Sequence, residues 1–159
     1  MRGFIAMLGR FCLSAIFITS GLAKIVDWQG TEQYIISAIQ QAQHAQAGTP
    51  WLIGLLDTVL PWSSMLVLLA IFAEIFGGLL VFLGILVRFG ALVLVLYLLP
   101  MTFLFHNFWD FQGADRTLQM IMFMKNLSIF GGLLILLAYG KAHAAKKMIK
   151  EKHIEKEKE

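Results

Sequence analysis

The sequence is poor in charged residues, and this shortage restricts the class of protein. Asp, Glu, Lys and Arg make up 14% of its 159 residues, against about 25% in soluble domains. Hydrophobic residues account for 58%, and the mean hydropathy is +0.75. A water-soluble fold of this composition would expose large apolar patches. The composition therefore predicts an integral membrane protein.

A shortage of cysteine and histidine limits the chemistry that the chain can carry out alone. Cys12 is the single cysteine, which excludes an intrachain disulfide, a CxxC redox pair and the attachment of a c-type haem. The four histidines are scattered, without the spacing of a metal site. We therefore expect no metal and no covalent cofactor, and a redox role would require a bound cofactor or a partner protein. The net charge of +3 does not indicate nucleic acid, because most of the excess lies after Lys141, where membrane topology or anionic lipid accounts for it.

Four apolar stretches are each close to the roughly 20 residues that cross a bilayer. The predicted transmembrane helices span about 4–23, 65–87, 89–109 and 118–139. Arg88 alone separates the second from the third, which predicts a tight helical hairpin. The expected fold is all-α: a four-helix transmembrane bundle at 1–140, with a long outer loop at 25–64 and a charged tail at 141–159.

The basic residues predict how the bundle is oriented. With alternating helices, one side of the membrane receives Arg2, Arg88, Lys141, Lys146, Lys147 and Lys150. The positive-inside rule makes this side cytoplasmic, so both termini are expected in the cytoplasm. All four tryptophans fall on the outer side, where indole rings favour the headgroup layer. This compact layout fits a bacterial inner membrane.

The outer loop contains two segments that are expected to have structure of their own. Gly30–Gln46 is rich in helix formers and has apolar residues at helical spacing, which predicts a helix over the mouth of the bundle. Trp51–Leu60 is apolar, too short to cross the bilayer, and bracketed by Pro50 and Pro61. We predict an interfacial or re-entrant segment there.

A few ionisable residues lie inside the predicted spans, where a charge is expensive unless it is paired or hydrated. Glu74 lies about ten residues into the second span and Lys125 about seven residues into the fourth, so their depths differ by less than one turn. An ion pair between them is therefore feasible. Arg10 and Lys24 share one face of the first helix, and both lie close enough to an interface for their charges to reach water.

These charges lie at depths similar to those of other polar groups in the outer half of the bundle. We predict a ligand-binding or proton-handling site formed by Arg10, Lys24, Glu74, His106, Lys125 and Asn126. Its excess of positive charge would suit an anionic or quinone-like ligand. The alternative is a structural network that holds the helices in register. The glycines expected to permit close helix packing are Gly21, Gly77, Gly78, Gly131 and Gly132.

Several short segments occur in the order and spacing of a known family. They are Arg10, Ser20-Gly21-Leu22-Ala23-Lys24, Ala73-Glu74-Ile75-Phe76-Gly77-Gly78, Leu83-Gly84 with Arg88, Phe105-His106, Met124-Lys125-Asn126-Leu127 and Gly131-Gly132. In these segments the sequence resembles the DoxX family of small four-helix membrane proteins. The similarity extends over about Arg10–Leu137, and the outer loop and the tail fall outside the pattern.

The resemblance implies an auxiliary role in membrane redox chemistry rather than a complete enzyme. The family is named for a subunit associated with terminal quinol oxidase and thiosulfate:quinone oxidoreductase, and it is distantly similar to surfeit-type cargo receptors. We therefore expect a subunit that contacts lipid, binds a quinone or a lipid, and associates with oxidoreductase partner subunits or with further copies of itself. The alternatives are a carrier for a small anion or lipid-like molecule, and a non-catalytic scaffold that binds a partner protein.

Overall fold

The computed structural model describes residues 2–45 and 49–140, and within these ranges it contains helices and no strands. The six α-helices are α1 (Arg2–Val26), α2 (Trp28–Ala45), α3 (Pro50–Val59), α4 (Ser63–Leu83), α5 (Val87–Phe105) and α6 (Gly113–Tyr139). Single 3₁₀ turns occur at Leu60–Trp62 and Phe108–Asp110. The predicted charged tail lies outside the described residues.

Four helical segments are long and apolar enough to cross a membrane. They are Gly3–Val26, Pro50–Leu83, Val87–Asp110 and Gly113–Tyr139. Large apolar side chains cover their outer faces, as lipid contact requires, because hydrocarbon chains favour such side chains as much as a protein core does. The predicted all-α fold with four transmembrane helices is confirmed.

The turn between α4 and α5 differs from the prediction. Gly84 has a φ of 73° and Leu86 a φ of 48°, so the backbone is left-handed on both sides of the turn. Glycine adopts this conformation without steric penalty and ends α4. Arg88 consequently lies inside α5 rather than between the helices, and its Nη2 donates a hydrogen bond to the carbonyl of Ala138 at 2.7 Å.

The end of α5 and the start of α6 also differ from the boundaries that hydropathy predicts. α5 ends at Phe105, four residues before the predicted boundary at 109, and α6 begins at Gly113 rather than at 118. The first turn of α6 is polar, so a prediction based on apolar residues does not include it in the helix. Asp115 lies in that turn, where a negative charge interacts favourably with the helix dipole.

Each transmembrane helix packs chiefly against its neighbours along the chain. α1 contacts α4, α4 contacts α5 and α5 contacts α6, whereas α1 and α6 make limited contact. Ser14, Phe17 and Gly21 are all buried, so the polar face predicted for α1 does turn into the bundle. The main core cluster consists of Phe17, Val81, Ala91, Leu94, Leu98 and Leu133.

Glycines allow the close approach between these helices. The ones that face a neighbouring helix, as predicted, are Gly21, Gly77, Gly78 and Gly132. A methyl group on Gly77 would lie 2.9 Å from the Leu94 side chain and 3.3 Å from the carbonyl oxygen of Gly90. Gly131 has open space around it, so the prediction of close packing is wrong for that residue.

We expect Gly77→Ala to lower the free energy of unfolding by about 1–3 kcal/mol, because the added methyl group overpacks the contact between α4 and α5. Gly131→Ala is the matched control, and helix propensity should leave it unchanged or more stable by up to about 1 kcal/mol. Thermal unfolding of both purified variants in detergent measures the difference. Equal stabilities would contradict the close packing.

α2 lies over one end of the bundle, as the sequence predicts. Asp27 precedes the helix, and its Oδ1 accepts a hydrogen bond from the Gly30 backbone N–H at 3.0 Å, which satisfies one of the free donors of the first turn. Ile35 and Ile39 are buried against Val67 of α4. The predicted last residue of this helix, Gln46, lies outside the described residues.

α3 is a short helix attached at the side of α2. Gln43 Nε2 donates a hydrogen bond to Asp57 Oδ1 at 2.6 Å, which joins the two helices. No residue of α3 is fully buried, and Trp51 and Leu55 are exposed. An apolar helix of this kind suits the membrane interface that the sequence predicts for it.

Glu32 fastens α2 to the first turn of α4. Its Oε1 accepts hydrogen bonds from the hydroxyls of Ser64 and Ser63, the latter at 2.9 Å. The Ser64 bond, followed by the Ser63 bond, holds the pKa of the Glu32 carboxyl below its ordinary value of 4.5. The ionised carboxylate accepts these bonds, so the attachment of α2 to α4 is at full strength when the pH is above 4.5. The attachment is lost as the pH falls through the lowered pKa of Glu32.

The hydrogen-exchange protection of α2, corrected for intrinsic rates, should therefore stay constant from neutral pH to about pH 4.5 and fall below it. Glu32→Gln should remove this acid transition, because the amide does not titrate. A wild-type profile that matches the variant throughout the acid range would contradict the role of Glu32.

Candidate binding site in the outer half of the bundle

Glu74 lies at the centre of a polar cluster deep in α4. The residue is 3% exposed. Its Oε1 accepts hydrogen bonds from the Ser20 hydroxyl at 2.9 Å, from Lys24 Nζ at 3.0 Å and from the Tyr97 hydroxyl at 2.8 Å. Ser20 and Lys24 belong to α1 and Tyr97 to α5, so one carboxylate joins three helices.

The second oxygen of this carboxylate has fewer partners. Glu74 Oε2 lies 2.9 Å from Lys24 Nζ, which completes the ion pair. It is buried and accepts no well-oriented hydrogen bond from the described residues. The Lys24 ammonium is therefore the group that compensates the charge at Oε2.

A cavity of about 530 Å³ adjoins the cluster and is covered by α2. Its polar lining includes Ser20, Lys24, Asp27, Glu74, Tyr97, His106 and Asn126. Phe17, Ile35, Leu98 and Met101 contribute apolar walls. This volume and this mixture of a few polar groups within apolar walls are typical of sites for small organic ligands.

Aromatic rings form the outer edge of the cavity. Tyr34 of α2 stacks on Phe105 of α5, with ring centroids 4.8 Å apart and planes inclined by 7°. Desolvation raises the pKa of the Tyr34 hydroxyl. His106 follows Phe105, and its Nδ1 lies 2.8 Å from Gln119 Oε1. This contact joins the C-terminal end of α5 to α6.

The structure brings four of the six predicted site residues to this cavity: Lys24, Glu74, His106 and Asn126. Asn126 also reaches α5, where its Nδ2 donates a hydrogen bond to Thr102 Oγ1 at 3.1 Å. The cavity therefore has a polar residue on each of the transmembrane helices.

Lys125 does not meet Glu74, which corrects the expected ion pair. Lys125 is exposed, and its Nζ donates to Met122 Sδ at 3.3 Å. Similar depth was the basis of the expectation, but α4 packs between α1 and α5, whereas α6 packs against α5. The cation that pairs with Glu74 is therefore Lys24 of α1. The cavity lacks the excess of positive charge that the sequence predicts.

Arg10 also lies away from the cavity. It is half-buried, and its guanidinium lies against Gly84 in the turn between α4 and α5. Arg10 is 14 residues before Lys24 on the same helix, a separation of about 21 Å along the axis. The C-terminal end of α4 carries partial negative charge, so a cation is favourable there. The prediction that Arg10 joins the site is wrong in geometry.

Tyr97 is the principal site residue that the sequence reasoning missed. It lies in the middle of a transmembrane helix, where a phenolic hydroxyl needs a hydrogen-bond partner. That requirement could have singled it out, because Tyr34 and Tyr139 lie outside or at the ends of the predicted spans. Among the residues that the structure describes, no three His, Cys, Asp or Glu side chains form a group that could hold a metal ion.

Comparisons with known proteins agree with this fold. The sequence model of the DoxX family matches residues 5–107. The chain is 32% identical to the inner membrane protein YqjF of Escherichia coli K12 over 134 residues, which cover 84% of this chain and 82% of that protein. It is 27% identical to the inner membrane protein YphA of the same organism over 139 residues, covering 87% and 85%. No solved structure matches.

The fold and the buried ion pair define a small, multi-pass integral membrane protein with four transmembrane helices. The chain belongs to the DoxX family. Its relatives confirm the inner-membrane location that the sequence predicts. The matched region contains Lys24, Glu74, Tyr97 and His106, but it ends before Asn126 on α6.

Removing one member of the ion pair should destabilise the fold unequally. Lys24→Met leaves the Glu74 carboxylate buried without a counter-charge, and we expect a loss of about 3 kcal/mol. Glu74→Gln should be milder, because the Lys24 side chain is 21% exposed and can turn toward water. Unfolding of the purified variants in detergent measures both effects.

Lys125→Met is the matched control for this comparison, since Lys125 is exposed and lies outside the ion pair. Its stability should remain within about 0.5 kcal/mol of the wild type. If Lys24→Met and Lys125→Met changed the free energy of unfolding equally, the ion pair would not be a structural constraint.

Proposed function

We propose that this protein is an auxiliary subunit of a membrane oxidoreductase and binds the head group of a quinol in the cavity beside Glu74. The observation that supports the proposal most is the cluster of Glu74, Lys24 and Tyr97 in the lining of a cavity of about 530 Å³. A quinol hydroxyl is a neutral donor that can enter a largely apolar cavity and bond to a carboxylate oxygen.

The other walls suit an aromatic ring with polar groups at both ends. Phe17, Leu98 and Met101 offer apolar and sulfur contacts to the ring faces. His106 lies toward the outer end of the cavity and Glu74 toward the interior. A neutral imidazole has one ring nitrogen that donates and one that accepts, so it is suited to pass a proton between a bound hydroxyl and the outer aqueous side.

The proposal assigns binding and proton handling to this chain, and electron transfer to a partner subunit. Oxidation of a quinol to a quinone releases two electrons and two protons. In this proposal Glu74 and His106 receive the protons, while the electrons pass to the redox group of a partner oxidoreductase. With a single cysteine and scattered histidines, the sequence offers no evident electron acceptor of its own.

The contacts of Lys24 favour this function over a small-anion carrier. An anion carrier needs an uncompensated positive charge in its binding site, and Lys24 is neutralised by Glu74. Lys125, the other lysine of the predicted cluster, is exposed and does not line the cavity. Asp27 adds a further negative group to the lining, which would repel an anion.

Calorimetric titration of the purified protein with a methoxylated benzoquinol that lacks a side chain tests the proposal under anaerobic conditions. Glu74→Gln should weaken quinol binding by about tenfold or more, because a hydrogen bond to a charged acceptor is replaced by one to an amide. The oxidised quinone has no hydroxyl to donate, so its affinity should change less than that of the quinol.

Lys125→Met should leave both affinities within about twofold of the wild type, since its side chain lies outside the cavity. Absence of quinol binding to the wild type, or equal affinities for Glu74→Gln and Lys125→Met, would overturn the proposed function.

A further inference from the structure

A second, apolar cavity adjoins the first between α5 and α6. Its volume is about 110 Å³, and we call it the α5–α6 cleft. The cleft is lined by Leu98, Leu99, Thr102, Phe103, Phe123, Asn126, Leu127 and Phe130. Leu98 and Asn126 line both cavities, so a single layer of side chains separates the polar site from the cleft.

The cleft opens toward the lipid-facing side of the bundle. Leu98 and Thr102 at its inner edge are buried, whereas Leu99, Phe103 and Leu127 are each about half exposed. These exposed residues lie on transmembrane helices, where exposure means contact with hydrocarbon chains. Two polar groups of the lining bond to protein atoms, because Asn126 Nδ2 donates to Thr102 Oγ1 and Thr102 Oγ1 donates to the carbonyl of Leu98. The remaining surface suits only an apolar occupant.

The wall formed by α5 is weakened at the cleft. Pro100 lies inside α5, between Leu99 and Thr102. Proline has no backbone N–H, so the hydrogen bond that would join this turn to the preceding one is missing. The α5 wall therefore lacks one backbone hydrogen bond next to Leu99, which lines the cleft.

From these observations we infer that the α5–α6 cleft is a lateral portal, and that it holds the apolar tail of a ligand whose polar head occupies the main cavity. The inference rests on the proposed function and narrows its ligand class to membrane-resident amphiphiles, such as a quinol with an isoprenoid or alkyl chain. The head reaches Glu74 from within the bilayer, and the tail passes beside Asn126 into the lipid.

The most informative test blocks the portal rather than lengthening the tail. A tail that leaves lipid for an apolar cleft gains little hydrophobic free energy, because lipid is as apolar as the cleft. An obstruction, by contrast, forces the tail into a steric clash. Leu127→Trp places a large ring in the cleft on a residue that is 52% exposed, does not line the main cavity and can accept a larger side chain at the lipid surface.

We expect Leu127→Trp to weaken binding of a decyl-tailed benzoquinol by about tenfold, and to leave the tail-less quinol within about twofold of the wild type. Leu134→Trp is the matched control: it lies two turns along the same face of α6, is 42% exposed and lines neither cavity. Each comparison uses one ligand with several variants. The partition of that ligand into detergent is then the same in every measurement and does not affect the ratio of affinities.

A decyl-tailed quinol carrying a photoreactive group on its chain gives an independent readout. Crosslinks to peptides that contain residues 98–103 or 123–130 would support the portal. Crosslinks confined to the seam between α1 and α6, or equal effects of Leu127→Trp and Leu134→Trp on the tailed ligand, would overturn it while the tail-less quinol still binds. Loss of all quinol binding by the wild type would instead overturn the proposed function.

Discussion

The ion pair between Lys24 and Glu74 is the constraint on which the outer half of the bundle depends. A carboxylate that is 3% exposed in a transmembrane helix persists only if its charge is compensated. Compensation requires α1 to present Lys24 and Ser20 at one depth and α5 to present Tyr97 at the same depth. The pair therefore fixes the positions of three helices relative to one another along the membrane normal. Apolar packing does not fix these positions by itself, because lipid is as apolar as the helix surfaces.

Lys24, and not Lys125, meets Glu74 because α1 packs against α4 whereas α6 packs against α5, and the direction of each helix agrees with this outcome. Side chains on an α-helix tilt toward the N-terminus of that helix. Lys24 lies near the C-terminal end of α1, at the mouth of the cavity, so its side chain points back into the bundle. Lys125 lies on α6, which runs the opposite way, so its side chain points toward the mouth and reaches Met122. Depth along the sequence therefore does not identify which lysine meets Glu74, because the packing order of the helices decides it.

The sequence allowed the helices and their depths to be predicted, because hydropathy and the 3.6-residue period depend on local composition. It also identified Glu74 and Lys24 as charges that need partners. The partners themselves depend on which helices are neighbours and how each is rotated, and neither follows from depth. Gly131 and Gly132 illustrate the limit: they are adjacent in sequence, yet Gly132 packs against Leu13 while Gly131 faces open space.

The cavity exists because the bundle closes incompletely at this end. α1 and α6 make limited contact, and α2 covers the cavity, with Ile35 and Ile39 packed against Val67 of α4 and Tyr34 stacked on Phe105 of α5. A bundle that closed all four seams would bury Glu74 among apolar side chains and leave no cavity beside it. The cavity instead lies between the membrane helices and α2, and Lys24 stays 21% exposed while Glu74 is buried. Burial of the charge and formation of the cavity thus depend on different elements, because the membrane helices surround Glu74 and α2 covers the space beside it.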